Sequence, residues 1–498
     1  MIKLNAFLIS TLALSAHSMA QVAYIDAGNV KQHIDGFGAS TAWHGQLTDK
    51  EADAVFKNDN DNQLGLSMLR IRIDPNGFYS DEMRNAQKAK ARGALILASP
   101  WTPPASMKTN NTTVAGELKT SSYADYAAYL KQFCITIGNV DVISLQNEPD
   151  ARVSYESCTW NGAQLLDFCK NHASAIGKPV MMPESQSFVS ALSDPTLNDS
   201  VACSNISFIG GHLYGTSPWI YANALNKGKS VWMTEHYYNG EDITTCINQM
   251  AKEIIDCMYD NMSAYVWWYL RQPDCNLINA GGSFKKKGYI MAHFSKFIRP
   301  GYHRIDATYR PQSGVYIVAF KGAENVIVVI NLNTLSKSQA FTFTNDSIAR
   351  VRRYTTSETK NVSYDGIIDL ANNSFTATLE GRSITTFVST KTSTGVRPFD
   401  SSIPQSYGLE QNYPNPFNPS TAVSFSLPSK SYVLLKVFDM MGREVATLVD
   451  EELAAGNHSR QWNASNISSG VYFYRLSVRT PSGQSGSFVE TKKLVLLQ

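Results

Sequence analysis

Two glutamates close apolar runs of strand type. Glu148 ends Ile143-Ser144-Leu145-Gln146-Asn147-Glu148-Pro149, and Glu235 ends Ser230-Val231-Trp232-Met233-Thr234-Glu235. A buried strand that stops at a carboxylate aims that carboxylate at whatever lies beyond the strand end. Two such groups are the minimum equipment for splitting a glycosidic bond, because one must protonate the leaving oxygen while the other attacks or activates water. One carboxyl must stay protonated and the other ionised near neutral pH, so their environments must differ. Asn147, from the same strand end as Glu148, offers an amide to a sugar hydroxyl. In a retaining pair the carboxyls stand about 5 to 5.5 Å apart, with Glu235 attacking the anomeric carbon and Glu148 acting first as acid and then as base.

The elements that must carry this pair are legible as a pattern. From Ile34 to Leu270 eight apolar or β-branched runs alternate with amphipathic segments: Ile34–Gly38, Ser67–Ile73, Gly93–Pro100, Asp141–Pro149, Pro179–Glu184, Ile206–Tyr214, Ser230–Tyr237 and Ala264–Leu270. In the segment after the third run, Tyr126, Tyr129, Leu130 and Phe133 fall at helical spacing. Eight strand–helix units predict a closed (β/α)8 barrel over residues 21–300, an α/β fold whose active site lies at the C-terminal strand ends. Glu148 and Glu235 then end the fourth and seventh strands. From about Gly314 strands follow one another without helices, which predicts a side β-sandwich over 301–389 that residues 22–33 would join. Residues 390–411 are rich in Ser, Thr, Pro and Gly and read as a linker. A second β-rich unit, 412–498, opens on Asn412-Tyr413-Pro414-Asn415-Pro416-Phe417-Asn418-Pro419, whose prolines exclude helix and central strand.

Lys3, the apolar run Ala6–Ala16 and Ser18-Met19-Ala20 have the build of a cleaved signal peptide, residues 1–20. No later stretch reaches the ~18 apolar residues of a membrane span, so an exported protein without a span is expected. A net charge of +2 with 17% charged residues gives no reason to expect nucleic acid or a membrane surface as partner. Aromatic residues make up 11% of the chain, enough for a groove that stacks on sugar rings. The seven cysteines are odd in number and lack metal-binding spacing. Disulfides between some of them and buried thiols both fit. No metal or cofactor is expected.

Several motifs in order, Asp35-Gly36-Phe37-Gly38-Ala39-Ser40, Leu69-Arg70-Ile71-Arg72-Ile73-Asp74, Pro100-Trp101-Thr102-Pro103-Pro104, Gln146-Asn147-Glu148-Pro149-Asp150, Gly211-His212-Leu213-Tyr214-Gly215, Trp232-Met233-Thr234-Glu235 and Val266-Trp267-Trp268-Tyr269, resemble glycoside hydrolase family 30. The resemblance is closest to its bacterial xylanase subfamily (subfamily 8) and runs from about Val22 to Ser389. It implies a cofactor-free retaining endo-β-1,4-xylanase on a barrel fused to a side sandwich, with Glu148 as acid/base and Glu235 as nucleophile. By motif position, Trp43, Trp101, Tyr155, Tyr214 and Trp267 would line the sugar subsites and Asn147 would stand beside the reacting ring. Trp232, inside a strand run, is expected in the core, and His212 is left without a role. A monomer is expected.

One departure bears on specificity. Members that require a glucuronic acid branch carry Tyr-Ile-Arg-Arg-Ser-Tyr-Gly after the eighth strand, and the second arginine and its following tyrosine bind the uronate. This chain reads Tyr269-Leu270-Arg271-Gln272-Pro273-Asp274-Cys275, with Gln272 and Asp274 at those two positions. An amide cannot form the charge-assisted pair, and an aspartate repels a carboxylate. Independence from glucuronate branches is therefore expected, with Arg271 the one nearby substitute. The alternatives are a glucuronoxylan-specific enzyme, a hydrolase of another β-linked glycan, or a polysaccharide-binding surface protein. The last 88 residues, with Asn412–Pro419, Val437–Val445, Ser469–Leu476 and Lys492-Lys493-Leu494, resemble the type A sorting domain of the type IX secretion system, so its outer-membrane machinery is an expected partner. A small carbohydrate-binding sandwich is the alternative for this unit.

Overall fold

The computed structural model describes residues 21–60, 62–272, 275–390, 407–412, 415–479 and 488–497. The proposed signal peptide 1–20, most of the linker, Asp274, and Tyr413 and Pro414 of the proline motif lie outside the described residues. Two compact units meet at the 391/392 boundary.

In the first unit a strand β1 (Ala23–His33) precedes a closed parallel barrel of β2 (Gly36–Ser40), β3 (Met68–Ile73), β4 (Leu95–Pro100), β5 (Val142–Ser144), β6 (Val180–Ser185), β7 (Phe208–His212), β8 (Ser230–Glu235) and β9 (Ala264–Trp267). Each of the eight expected runs supplies one barrel strand. Alternation sorts the side chains: Met68, Leu97, Met181, Trp232 and Val266 fill the barrel interior, while Leu69, Ile71, Ile143, Met233 and Tyr265 face the helical layer. Trp232 is core, as expected, and its indole N–H donates to Asp35 Oδ2 at 2.7 Å. The helix Tyr123–Ile137 buries Tyr126, Leu130 and Phe133 and ends on Gly138 in the left-handed conformation. Its Tyr126 hydroxyl donates to the Leu145 carbonyl at 2.8 Å, fastening the helix beneath the segment that carries Glu148.

The side sandwich is built from β1 and eight further strands: β10 (His303–Ala307), β11 (Val315–Lys321), β12 (Asn325–Asn331), β13 (Lys337–Thr344), β14 (Arg350–Thr356), β15 (Ser363–Asp369), β16 (Ser374–Leu379) and β17 (Ser383–Thr390). The N-terminal strand does join it, antiparallel to β10 with Ile25 opposite Ala307, and parallel to β13 with Ala23 opposite Phe341. Alternate residues of the central strands serve two cores. Ile317, Ile327 and Phe387 pack inside the sandwich, whereas Val318, Val328 and Ile384 pack against the barrel's helices. His293 crosses that seam, its ring nitrogens 2.8 and 2.9 Å from the hydroxyls of Thr386 and Thr356. β10, β15 and β16 are additional to the strands legible in the sequence; β15 is polar and carries Gly366.

The second unit is all-β, with a four-stranded antiparallel sheet centred on Ser431–Phe438 and Gly470–Arg479 and a three-stranded sheet centred on Ser420–Leu427. Val433, Leu435 and Val437 alternate into its core with Tyr474 and Leu476. Among the described residues no helix is long and apolar enough to cross a membrane. All seven cysteines are buried thiols, so of the two readings the buried thiol holds.

Candidate active site

Arg70 organises the site. On β3 it points to the barrel axis between Leu69 and Ile71, which face the helices, and it is fully buried. Its Nη1 donates to Glu235 Oε2 at 2.6 Å, and its Nη2 to Asn147 Oδ1 at 2.6 Å. Nε donates to Ser99 Oγ and lies 3.2 Å from Glu184 Oε1. The guanidinium also lies over the Trp101 ring, 4.7 Å from its centroid. One side chain thus fixes Glu235, Asn147 and Trp101 together.

The local backbone is arranged to turn acids inward. Strict alternation would send Glu235 towards the helices with Met233, but a register shift between β7 and β8 pairs His212 with Glu235 and reverses it. Glu148 and Glu184 take φ values of 45° and 50°, left-handed conformations that cost a residue with a side chain about 1 kcal/mol or more. The Glu148 backbone N–H donates to the Glu184 carbonyl at 2.9 Å, tying the two turns to each other.

One carboxylate oxygen from each of Glu148 and Glu235 and a ring nitrogen of His212 lie within 4.8 Å of one another. Such closeness of the nearest atoms fits a retaining pair, since an inverting pair stands about 6.5–9.5 Å apart to admit water. Tyr214 donates its hydroxyl to Glu235 Oε1 at 3.0 Å, and His212 Nδ1 is 3.0 Å from Glu148 Oε1. Although burial opposes charge on His212, the carboxylates of Glu235, Glu148 and Glu184 raise it to about 9. Burial likewise opposes charge on Glu184, but Arg70 and His212 bring it down to about 2. Glu235 is raised by burial, with His212 and Arg70 opposing and the charge of Glu148 adding. Two positive groups, Arg70 and His212, therefore face three carboxyls, Glu148, Glu184 and Glu235. Glu235 receives two donors suited to an anion, from Arg70 and Tyr214. Those same cations make the Glu148–His212–Glu235 group unsuited to holding a metal ion.

The pair opens into a cleft of about 490 Å³ walled by Trp43, Trp101, Tyr155, Tyr214 and Trp268, with Gln272 also on its lining. Trp43 is 50% exposed, its ring 4.9 Å from Trp101 and over the Arg72 guanidinium at 4.7 Å. Arg72 is held in turn by a two-pronged bond to Glu156 at 3.0 and 2.5 Å. The fully buried Lys108 bridges Thr102 Oγ1 and the Ser157 carbonyl at 2.8 and 2.5 Å, joining the loop of Trp101 to that of Tyr155.

Trp267 is a correction to the sequence reading. It is fully buried, packs with Tyr265 on the outer face of β9, and donates its indole N–H to the Cys275 carbonyl at 2.6 Å. With side chains alternating along a strand, its neighbour Trp268 is the one that reaches the cleft. Arg70, Glu184 and Trp268 were not among the sequence-derived site residues. The signal available for Arg70 was a charge alternating with Leu69, Ile71 and Ile73 in an otherwise apolar parallel strand.

After the eighth strand Arg271 is engaged: Nη1 donates to Glu51 Oε1 at 2.5 Å and Nη2 to the His44 carbonyl at 3.3 Å. Glu51, whose side chain is 1% exposed, also accepts from the backbone N–H groups of Thr48 and Gly281 at 2.8 and 3.1 Å.

A parallel barrel whose strand ends present two glutamates at this separation, under an aromatic cleft, defines a retaining glycoside hydrolase. The "Glycosyl hydrolase family 30 beta sandwich domain" matches residues 301–387, and the "Secretion system C-terminal sorting domain" matches 411–495. Over 380 residues the chain is 39% identical to a glucuronoxylanase, XynC, of Bacillus subtilis (strain 168), covering 72% of this chain and 89% of the relative. The solved structure of a family 30 subfamily 8 xylanase from Clostridium acetobutylicum superposes with a TM-score of 0.71 at 45% identity, over 74% of this chain and 99% of that one. A family 30 endoxylanase from Clostridium papyrosolvens C71 gives 0.69 at 38%, over 74% and 100%. The chain belongs to glycoside hydrolase family 30. Its sorting domain directs it to the cell surface or beyond.

Proposed function

We propose that the protein is a monomeric, secreted endo-β-1,4-xylanase that cuts xylan without needing a glucuronate branch. The family and the names borne by its relatives support xylan as substrate. One observation carries independence from the branch: Arg271, the cation nearest the altered loop position, is committed to the buried Glu51, while an amide, Gln272, faces the cleft. Freeing Arg271 for a uronate would strand a buried carboxylate, a cost that the new pair would have to exceed. Glu148 protonates the leaving oxygen as Glu235 attacks, and the glycosyl-enzyme is then hydrolysed with Glu148 as base. Trp43, Trp101 and Trp268 hold the chain by stacking, and Asn147, its oxygen taken by Arg70, offers its NH2 group to the reacting sugar.

The test is a product profile from linear xylan and from glucuronoxylan, with Glu235→Gln as blank. Comparable cleavage of both, absent in the variant, is expected. Products that all carry their uronate at one fixed position would refute the branch-independent reading, and cleavage of neither would refute xylan as substrate.

A further inference from the structure

Glu184 has no place in the double-displacement scheme, yet it is the most enclosed acid in the site. It is the last residue but one of β6, is fully buried, and is not among the residues lining the cleft, so it does not touch substrate. Space is kept for it: a Cβ at Gly210 on the neighbouring strand would fall 3.1 Å from its Cγ and 2.5 Å from Met181 Sδ. A carboxylate in such surroundings is costly unless it is paired. Its Oε1 lies 3.2 Å from Arg70 Nε and 3.9 Å from His212 Nε2. The opposite ends of those two cations meet the catalytic pair, Arg70 at Glu235 and His212 at Glu148. Glu184 therefore sits behind the site, within ion-pair distance of both groups that meet the pair at its front.

We propose that Glu184 is a positioning residue for the reaction, holding Arg70 and His212 as oriented cations and setting a fixed negative charge behind the Glu148–Glu235 pair. The charged groups facing it are Arg70 from β3 and His212 from β7, with Glu235 on β8 reached through Arg70 and Glu148 beyond β5 reached through His212. Asp150, on the outer side, is taken up by the Ser185 hydroxyl at 2.7 Å and the Gln186 N–H at 2.9 Å. Without the charge on Glu184, two cations would face two carboxyls, and the Glu148–His212–Glu235 cluster would release its proton at lower pH. Activity that depends on that proton would then be lost from the alkaline side.

The test is kcat/KM against pH on linear xylan for the wild type, Glu184→Gln and Glu184→Asp. In Glu184→Gln the alkaline limb should move down by about one pH unit or more, with kcat falling more than KM rises. Glu184→Asp, which keeps the charge, should restore the limb. An unshifted limb in folded Glu184→Gln would overturn the proposal. A second measurement needs no variant and no substrate, so it stays informative whichever glycan the enzyme cuts: nitrogen NMR of His212 in the wild type should report an imidazolium at neutral pH. A neutral ring there would also overturn the proposal.

Discussion

Replacing Arg271 with Gln separates two roles that the altered loop leaves open. If Arg271 serves the fold, the change leaves the Glu51 carboxylate, 1% exposed, without its cation. Breaking a fully buried pair costs about 3–5 kcal/mol. Arg271 is 26% exposed and Glu51 keeps its bonds from Thr48 and Gly281, so about 2 kcal/mol is the better figure here. For a unit of this size that lowers Tm by about 2–3 °C. The pH dependence follows from Glu51 itself. Burial would raise it, but the Thr48 and Gly281 N–H groups, the Thr48 hydroxyl and Arg271 bring it down to about 2 from 4.5. A depressed carboxylate stabilises the fold above its unfolded value and loses that contribution as pH falls towards the folded one. The Tm gap between wild type and Arg271→Gln should therefore be full at neutral pH and close between about pH 4.5 and 2. Scanning calorimetry across that range, with rates on linear xylan and glucuronoxylan at neutral pH, gives both readouts. An unchanged Tm with a selective loss on glucuronoxylan would refute the reasoning and make Arg271 the branch ligand.

Tyr214→Phe removes one charge-assisted bond to Glu235, and kcat should fall by about 10- to 100-fold with KM little changed, read from steady-state kinetics. Trp268→Ala and Trp267→Ala should part company: the first raises KM with little loss of Tm, while the second costs about 3–5 kcal/mol of stability by opening a core cavity, both seen by pairing kinetics with thermal melts. The raised His212 contributes stability that is complete below its ordinary 6.5 and disappears as pH rises through about 9. A Tm–pH profile of wild type should thus fall over that window, and His212→Gln should flatten it.

The barrel was legible because each of its strands is buried on both faces and reads as an apolar run broken by helical spacing. The sandwich was legible where its strands are apolar, from Val315 to Ile330 and at Ser383–Val388. It was not legible at β15, where Ser363–Asp369 has little to bury. In the site, Glu148 and Glu235 were visible as strand-end acids. Trp267 and Trp268 could not be told apart by type, since only the inward or outward sense of one strand position decides between cleft and core. Glu184 also ended a recognisable run, but nothing in sequence brings β6 within reach of Arg70 on β3. That contact exists because a closed barrel places the side chains of distant strands on one axis.

The N-terminal strand gives the catalytic unit the plan of a clasp. β1 is laid down first, yet its partners β10 and β13 come after the whole barrel; the Tyr24 N–H bonds the Thr308 hydroxyl across 284 positions. The barrel is in effect an insertion within the sandwich sheet. Cutting the gene at residue 300 would leave β1 without a sheet and the sandwich without a central strand, so an exchangeable catalytic cassette must run from about residue 21 to 390. During synthesis the first strand must wait for the last domain strands to emerge, which makes closing the clasp a late, long-range event in maturation.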